Sequence, residues 1–244
     1  MMLATPCFGG LVTMEFMQCL LSEMMLHPDR LREQQKYVIL PYFQKGYSGL
    51  PKDRSVAASY ALKSGADKIL FIDSDQSWLW SDIKKLLDSD KEIVAGVIPL
   101  KQKDQTFNFT PMEYDYDCFA EEDNKITDVG LRRLRQKYFG QDEIEVCLTG
   151  TGFALIDCKV LKKMSETAEE FIFYDPHSQT KQMGWAFFQC GPLNKVYFGE
   201  DWAHFKFARD IGFKVYINST VLIGHIGSYK YEIDRGVVFP NEKN

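Results

Sequence analysis

The chain is expected to be an α/β protein with a mostly parallel central sheet between layers of helix. Three observations predict this. Short apolar runs alternate with amphipathic stretches through the first half of the sequence, the pattern of successive strand–helix units. The run Ile69–Ile72 is apolar without a break, as a strand covered on both faces must be. Helix-starting and helix-stopping residues, among them Thr13, Gly65 and Asp157, fall at the edges of the helical patterns, where caps are needed.

In order, Met1–Thr5 reads as a first strand, ended by Pro6 and the Gly9-Gly10 pair. Thr13 then caps a helix with Phe16, Met17, Leu20, Leu21 and Met24 at helical spacing. A second strand is expected at Tyr37–Leu40, followed by a helix opened by Asp53 or Ser55, with Val56, Ala57, Tyr60 and Ala61 on one face and Gly65 as its stop. After the strand at Ile69–Ile72, Ser81 is expected to cap a short helix through Leu87, and Ile93–Ile98 supplies the next strand. Residues 101–146 break the pattern. Phe107, Phe109, Tyr114 and Tyr116 alternate there, and Glu121–Lys125 makes a charged turn, so a β-rich excursion of hairpins is expected. Cys147–Ile156 returns as one strand, Asp157 caps the helix bearing Val160, Leu161 and Met164, and a helix at Asp201–Asp210 precedes strands within Lys214–Ile223. No repeat or low-complexity linker divides residues 1–244, so one domain is expected.

The composition narrows the function. At 45% hydrophobic and 14% aromatic residues the chain can bury a substantial core. Its net charge of -5, from 29 basic and 34 acidic residues, comes without a basic block; an extended nucleic-acid groove needs clustered cations, so no nucleic-acid partner is expected. A small phosphorylated ligand needs only a local patch or a metal ion. The six cysteines (Cys7, Cys19, Cys118, Cys147, Cys158, Cys190) are scattered without metal-ligand spacing, which fits a reduced, cytoplasmic setting. The start MLATPCFGG has no signal-peptide pattern, and no stretch approaches the ~20 apolar residues of an integral membrane segment.

The segment KILFIDSDQSW delivers two carboxylates, Asp73 and Asp75, at the end of an apolar strand. In open α/β sheets ligands collect at the carboxyl ends of strands, and carboxylate oxygens suit Mg²⁺ or Mn²⁺. A solvated turn is the alternative for such a short motif. Further on, FGEDWAHF places Glu200 and Asp201 in the first turn of a helix, where the dipole alone would favour acids. IGHIGSY then sets His225 after an apolar strand and beside glycines that allow close approach, either as a metal ligand or as a structural histidine. Gly150-Thr151-Gly152 lacks dinucleotide-loop spacing; it suits a wall approached by a sugar ring, or simply a tight bend. The four tryptophans Trp78, Trp80, Trp185 and Trp202 have core packing as their simplest use, and His177 and His204 are read as structural or exposed.

Taken in order, the strand ending in Thr5-Pro6, the helix bearing Arg54, Asp73–Asp75, Gly150–Gly152, Glu200–Asp201 and His225 resemble a GT-A fold glycosyltransferase, a Rossmann-like fold, over roughly residues 3 to 229. The resemblance is closest to family-two-like and small viral or bacterial members; the excursion at 101–146 has no motif to align. It implies a nucleotide-sugar donor, UDP-sugar before GDP- or dTDP-sugar, and a glycan or other hydroxyl acceptor. It implies Mn²⁺ or Mg²⁺ held by Asp75 and His225 with Asp73 nearby, donor contacts from Thr5, Pro6, Arg54, Asp73, Gly150 and Gly152, and inversion with Asp201 as base, Glu200 being the second choice. Two other readings remain at this level. A nucleotidyltransferase acting on sugar phosphates would carry a basic glycine-rich loop after the first strand, and TPCFGGLVTMEF has no basic residue. A non-catalytic nucleotide-sugar-binding module would not need Asp201 and His225.

Overall fold

A computed structural model describes residues 1–33, 36–46, 49–101, 107–112, 137–175, 178–193, 195–228 and 230–232. The strands are β1 (Met2–Phe8), β2 (Leu40–Gly46), β3 (Lys68–Ile72), β4 (Gln76–Ser77), β5 (Ile93–Val97), β6 (Thr110–Pro111), β7 (Ile144–Leu148), β8 (Phe153–Asp157), β9 (Glu170–Asp175), β10 (Thr180–Trp185), β11 (Gly191–Leu193), β12 (Val196–Phe198), β13 (Val215–Leu222), β14 (Gly224–Ile226) and β15 (Lys230–Tyr231). The helices are α1 (Met14–Cys19), which continues as a π-helical segment Leu20–Met25, α2 (Pro28–Arg32), α3 (Leu50–Lys63), α4 (Trp80–Asp88), α5 (Cys158–Met164) and α6 (Glu200–Asp210).

Among the described residues eight strands form the central sheet, in the order β2-β1-β3-β8-β5-β13-β7-β6. β7 and β8 run against the other six, so the sheet is mixed but mostly parallel. Alternation along each strand sorts its side chains onto two faces. Ile69 and Phe71 join a core with Ala57, Ala58 and Ala61 of α3, Val160 and Leu161 of α5, and Phe205 and Ala208 of α6. Leu70 and Ile72 join a second core with Phe16 of α1 and Trp80, Ile83 and Leu86 of α4. Helices therefore cover both faces, as the unbroken apolar run requires. The small residues at 57, 58 and 61 let α3 lie close on the sheet.

Several local expectations hold in detail. The Thr13 hydroxyl accepts from the Phe16 N–H, the Asp157 carboxylate accepts from the Lys159 N–H, and Gly65 ends α3 with a φ of 71° that L side chains rarely adopt. Others are corrected. β1 runs on through Pro6 to Phe8 before the turn at Gly9-Gly10. The second strand begins where it was expected to end: it is Leu40–Gly46, not Tyr37–Leu40. Among the described residues it pairs only with β1, and such an edge strand tolerates Pro41. α3 opens at Leu50, behind Gly49 and with Pro51 in its first turn, ahead of Asp53 and Ser55. Ser81 lies inside α4; the N–H at its start, that of Leu79, donates to the Asp82 carboxylate at 3.0 Å.

Cys147–Ile156 is two strands, because the buried Thr149–Gly152 stretch leaves the ladder between β7 and β8. Residues 214–223 hold a single strand, β13 (Val215–Leu222), with a register shift between Asn218 and Leu222. In the expected excursion, Phe107 and Phe109 are buried in the main core and β6 adds to the main sheet, so this part is sheet edge and core rather than a projecting hairpin. Tyr114, Tyr116, the turn at Glu121–Lys125 and His177 lie outside the described residues.

Candidate active site

The loop after β3 is clamped at each residue of its D-x-D. The Asp73 N–H donates to the Gly152 carbonyl at 2.9 Å, the Ser74 carbonyl accepts from the Thr13 N–H at 2.9 Å, and the Asp75 carbonyl accepts from the Ile226 N–H at 2.7 Å. Three segments far apart in sequence thus fix where both carboxylates point. Short β4 and β14 pair antiparallel, Gln76 opposite His225, which brings the histidine alongside. A Cβ at Gly224 would lie 2.3 Å from the Ser77 hydroxyl, so glycine lets the two strands approach without displacing that side chain.

Arg54 is the hub. Its side chain is 1% exposed, and one guanidinium nitrogen reaches both Asp73 oxygens at 2.8 and 3.1 Å. The other reaches Glu200 at 3.0 Å and also contacts Asp201. Burial by itself would lower the arginine pKa, but Asp201, Asp73 and Glu200 together raise it above its ordinary value. Asp201 also accepts from the Thr151 hydroxyl. The two glycines fit closely against these acids: a Cβ at Gly152 would come within 2.5 Å of the Gln76 amide and 2.7 Å of an Asp73 oxygen, and one at Gly150 within 2.8 Å of the Asn108 amide and 3.5 Å of an Asp201 oxygen. Close approach, rather than a sharp bend alone, is what requires glycine here.

Asp75 stands apart from the arginine hub. Its Oδ2 contacts Lys101 Nζ and faces His225 Nε2 at 3.6 Å. Burial pushes this carboxyl up, but the interactions with His225 and Lys101 outweigh it and hold it below the usual carboxylate range. His225 Nδ1 lies 2.9 Å from the Pro99 carbonyl. A carbonyl only accepts, so Nδ1 donates to it, and Nε2 is the nitrogen that faces Asp75. A carboxylate and an imidazole nitrogen at that distance can both reach one cation, and a backbone carbonyl behind the ring is the usual support of a metal-bound histidine.

The residues therefore fit a divalent ion in one respect: they offer one carboxylate and one imidazole. Among the described residues no group of three or more His, Cys, Asp or Glu could hold a metal alone. Such a two-ligand seat suits an ion whose other positions are filled by substrate phosphate and water, the habit of Mg²⁺ in phosphate sites. Four carboxylates against the two cations Arg54 and Lys101 also leave these residues with a formal surplus of two negative charges.

Seven of the expected residues thus come together in the hub and at Asp75: Arg54, Asp73, Asp75, Gly150, Gly152, Glu200 and Asp201. His225 joins them through Asp75. Thr5 and Pro6 lie toward the far end of β1; its register with β3, Ala4 opposite Phe71, carries on to put Pro6 level with Asp73. Both are buried, and the Thr5 hydroxyl has no hydrogen-bond partner among the described residues. Sequence reasoning missed Lys101, although its place just beyond β5 is the kind of strand end that drew attention to Asp73. Trp78 and Trp80 are core residues, and Trp185 and Trp202 are half-buried against it. His204 is fully buried, stacked on Phe188 at 4.1 Å.

No protein-family model matches the chain, and no curated protein matches it in sequence. Solved structures do. A197 from STIV superposes with a TM-score of 0.52 at 15% identity, over 93% of this chain and 85% of that one. GalNAc-T7, solved with UDP, GalNAc and Mn²⁺, superposes with a TM-score of 0.50 at 11% identity, over 96% of this chain but only 44% of that one. At these identities the likeness shows the fold alone, an α/β fold of the GT-A type.

Proposed function

We propose that the protein is a glycosyltransferase that moves a sugar from a nucleotide-sugar donor, a UDP-sugar by preference, to an acceptor hydroxyl of a glycan or similar molecule. One observation carries the reading: Asp73, Glu200 and Asp201, from two distant segments, converge on the buried Arg54 beside the strand end that presents Asp75, which His225 of β14 faces. The fold it shares with GalNAc-T7, whose structure holds UDP and Mn²⁺, supports the same direction.

Asp75 and His225 would hold a divalent ion, which as a Lewis acid supplies charge neutralisation for a departing nucleoside diphosphate. Arg54 holds both Asp73, two residues before Asp75, and Asp201, so in this reading one guanidinium ties the donor side of the site to the acceptor side. Asp201 takes the proton of the acceptor hydroxyl while that oxygen attacks the anomeric carbon from the face opposite the leaving group, which inverts the configuration. The Thr151 hydroxyl and Arg54 orient the Asp201 carboxylate; Glu200, on the same guanidinium, is the second candidate for base.

The test is incubation with UDP-, GDP- and dTDP-sugars and Mn²⁺, following release of nucleotide to water or to simple sugar acceptors. Asp201→Asn should keep donor binding and lower transfer by on the order of 10²-fold, the scale of a lost general base. Near-normal transfer by that variant, or a product that retains the donor's anomeric configuration, sinks the assignment. Donor binding without any turnover would leave a binding module.

A further inference from the structure

The Asp75 carboxylate already has a cation of its own. Lys101 Nζ sits on Oδ2, the same oxygen that faces His225 Nε2. The lysine side chain is 38% exposed, so its ammonium can move away, and its stem rests near Gly227, where an added Cβ would lie 3.3 Å from its Cδ. It follows the Pro99 whose carbonyl meets His225 of β14, so one short stretch of chain beyond β5 carries the lysine and supports the histidine.

An ammonium and a divalent ion cannot share one carboxylate oxygen without strong like-charge repulsion. When an ion binds Asp75, Lys101 must leave it, and the nearest new anion in the proposed site is the donor's diphosphate. From this geometry, we propose that Lys101 is an exchangeable counter-cation. It neutralises Asp75 in the free protein, competes there with a divalent ion, and on donor binding transfers its charge to the phosphates, where it would join the ion in stabilising the leaving nucleotide. No bond is made or broken by the lysine; only its salt bridge changes partner. The inference rests on the glycosyltransferase reading for the second partner and on the Asp75 contact for the first.

Mn²⁺ alone and UDP with Mn²⁺ are titrated by calorimetry into the parent chain, Lys101→Met and Lys101→Arg, with thermal melts to show that each is folded. Lys101→Met should bind Mn²⁺ alone about tenfold tighter, because a like charge has been removed from beside the seat. The same variant should bind UDP in the presence of saturating Mn²⁺ about tenfold more weakly, having lost one phosphate contact. Lys101→Arg should resemble the parent in both. The opposite signs are the signature: unchanged or weaker Mn²⁺ binding by Lys101→Met overturns the competition, and unchanged UDP binding overturns the transfer to phosphate. A parent chain that binds neither Mn²⁺ nor UDP overturns the glycosyltransferase reading and this inference with it, whereas a parent that binds both, alongside an indistinguishable Lys101→Met, overturns the lysine's role alone.

Discussion

Replacing Arg54 with methionine removes the one cation that three carboxylates share. The guanidinium side chain is 1% exposed, and those of Asp73, Glu200 and Asp201 are 26%, 20% and 29% exposed. Each acid is less than a third open to solvent, so water screens it only in part. An opposite pair near 4 Å is worth about 4 kcal/mol at an effective dielectric of 20. Three such attractions act here, opposed by repulsion among the acids and by the cost of desolvating the guanidinium. The net loss on removing one partner of a buried pair is about 3–5 kcal/mol. For a chain of this size, that lowers Tm by roughly 6–20 °C.

Arg54→Lys should fall between parent and Arg54→Met, since an ammonium keeps the charge but cannot fork to both sides. A loss below about 1 kcal/mol, measured by urea unfolding, would refute the hub.

Three further outcomes are expected. His225→Ala should weaken nucleotide binding when Mn²⁺ is present and leave it little changed in EDTA, both read by calorimetry; equal losses in the two buffers would mean that the histidine only packs. Gly152→Ala forces a Cβ to within 2.5 Å of Gln76 and 2.7 Å of Asp73, so it should destabilise the fold by about 1–3 kcal/mol and weaken nucleotide binding, and a variant matching the parent in both would remove the close-packed wall. Burial pushes the His204 imidazole down to about 4, with the Phe187 carbonyl acting against this and Arg54 adding to it. The unfolded chain takes up that proton near pH 6.5 and the folded chain only near 4, so stability should fall across that window, by roughly 3 kcal/mol for this one group. His204→Asn should flatten the same stretch of the stability–pH curve, and an unchanged slope would mean that other groups set it.

The parts of this molecule that were legible in the sequence are those governed by local rules. Ile69–Ile72 announces a strand buried on both faces because every side chain in it must face a core, and Asp73 and Asp75 follow because a parallel sheet opens its crevice at that end. Thr13 and Asp157 could be placed as caps because the bond each makes lies within three residues. Errors arose where register or pairing decides. The start of the second strand moved by three residues because the extent of an edge strand is set by its pairing with its neighbour, β1, which local composition does not mark. The apolar run through Cys147–Ile156 hid a break, since Thr149 and Thr151 are fully buried and carry no sign of leaving a ladder.

Arg54 shows the limit most clearly. In the sequence it was a helix arginine that could as well have faced solvent. Its three acidic partners lie 19, 146 and 147 residues away, and no periodicity encodes a contact over that separation. Yet the two kinds of information meet in one place. Local rules put Asp73 at a strand end and Glu200–Asp201 at a helix start, and the small residues of α3 bring that helix onto the same end of the sheet. Once those three placements hold, the acids need a buried cation between them, and Arg54 is the residue that the packing of α3 supplies.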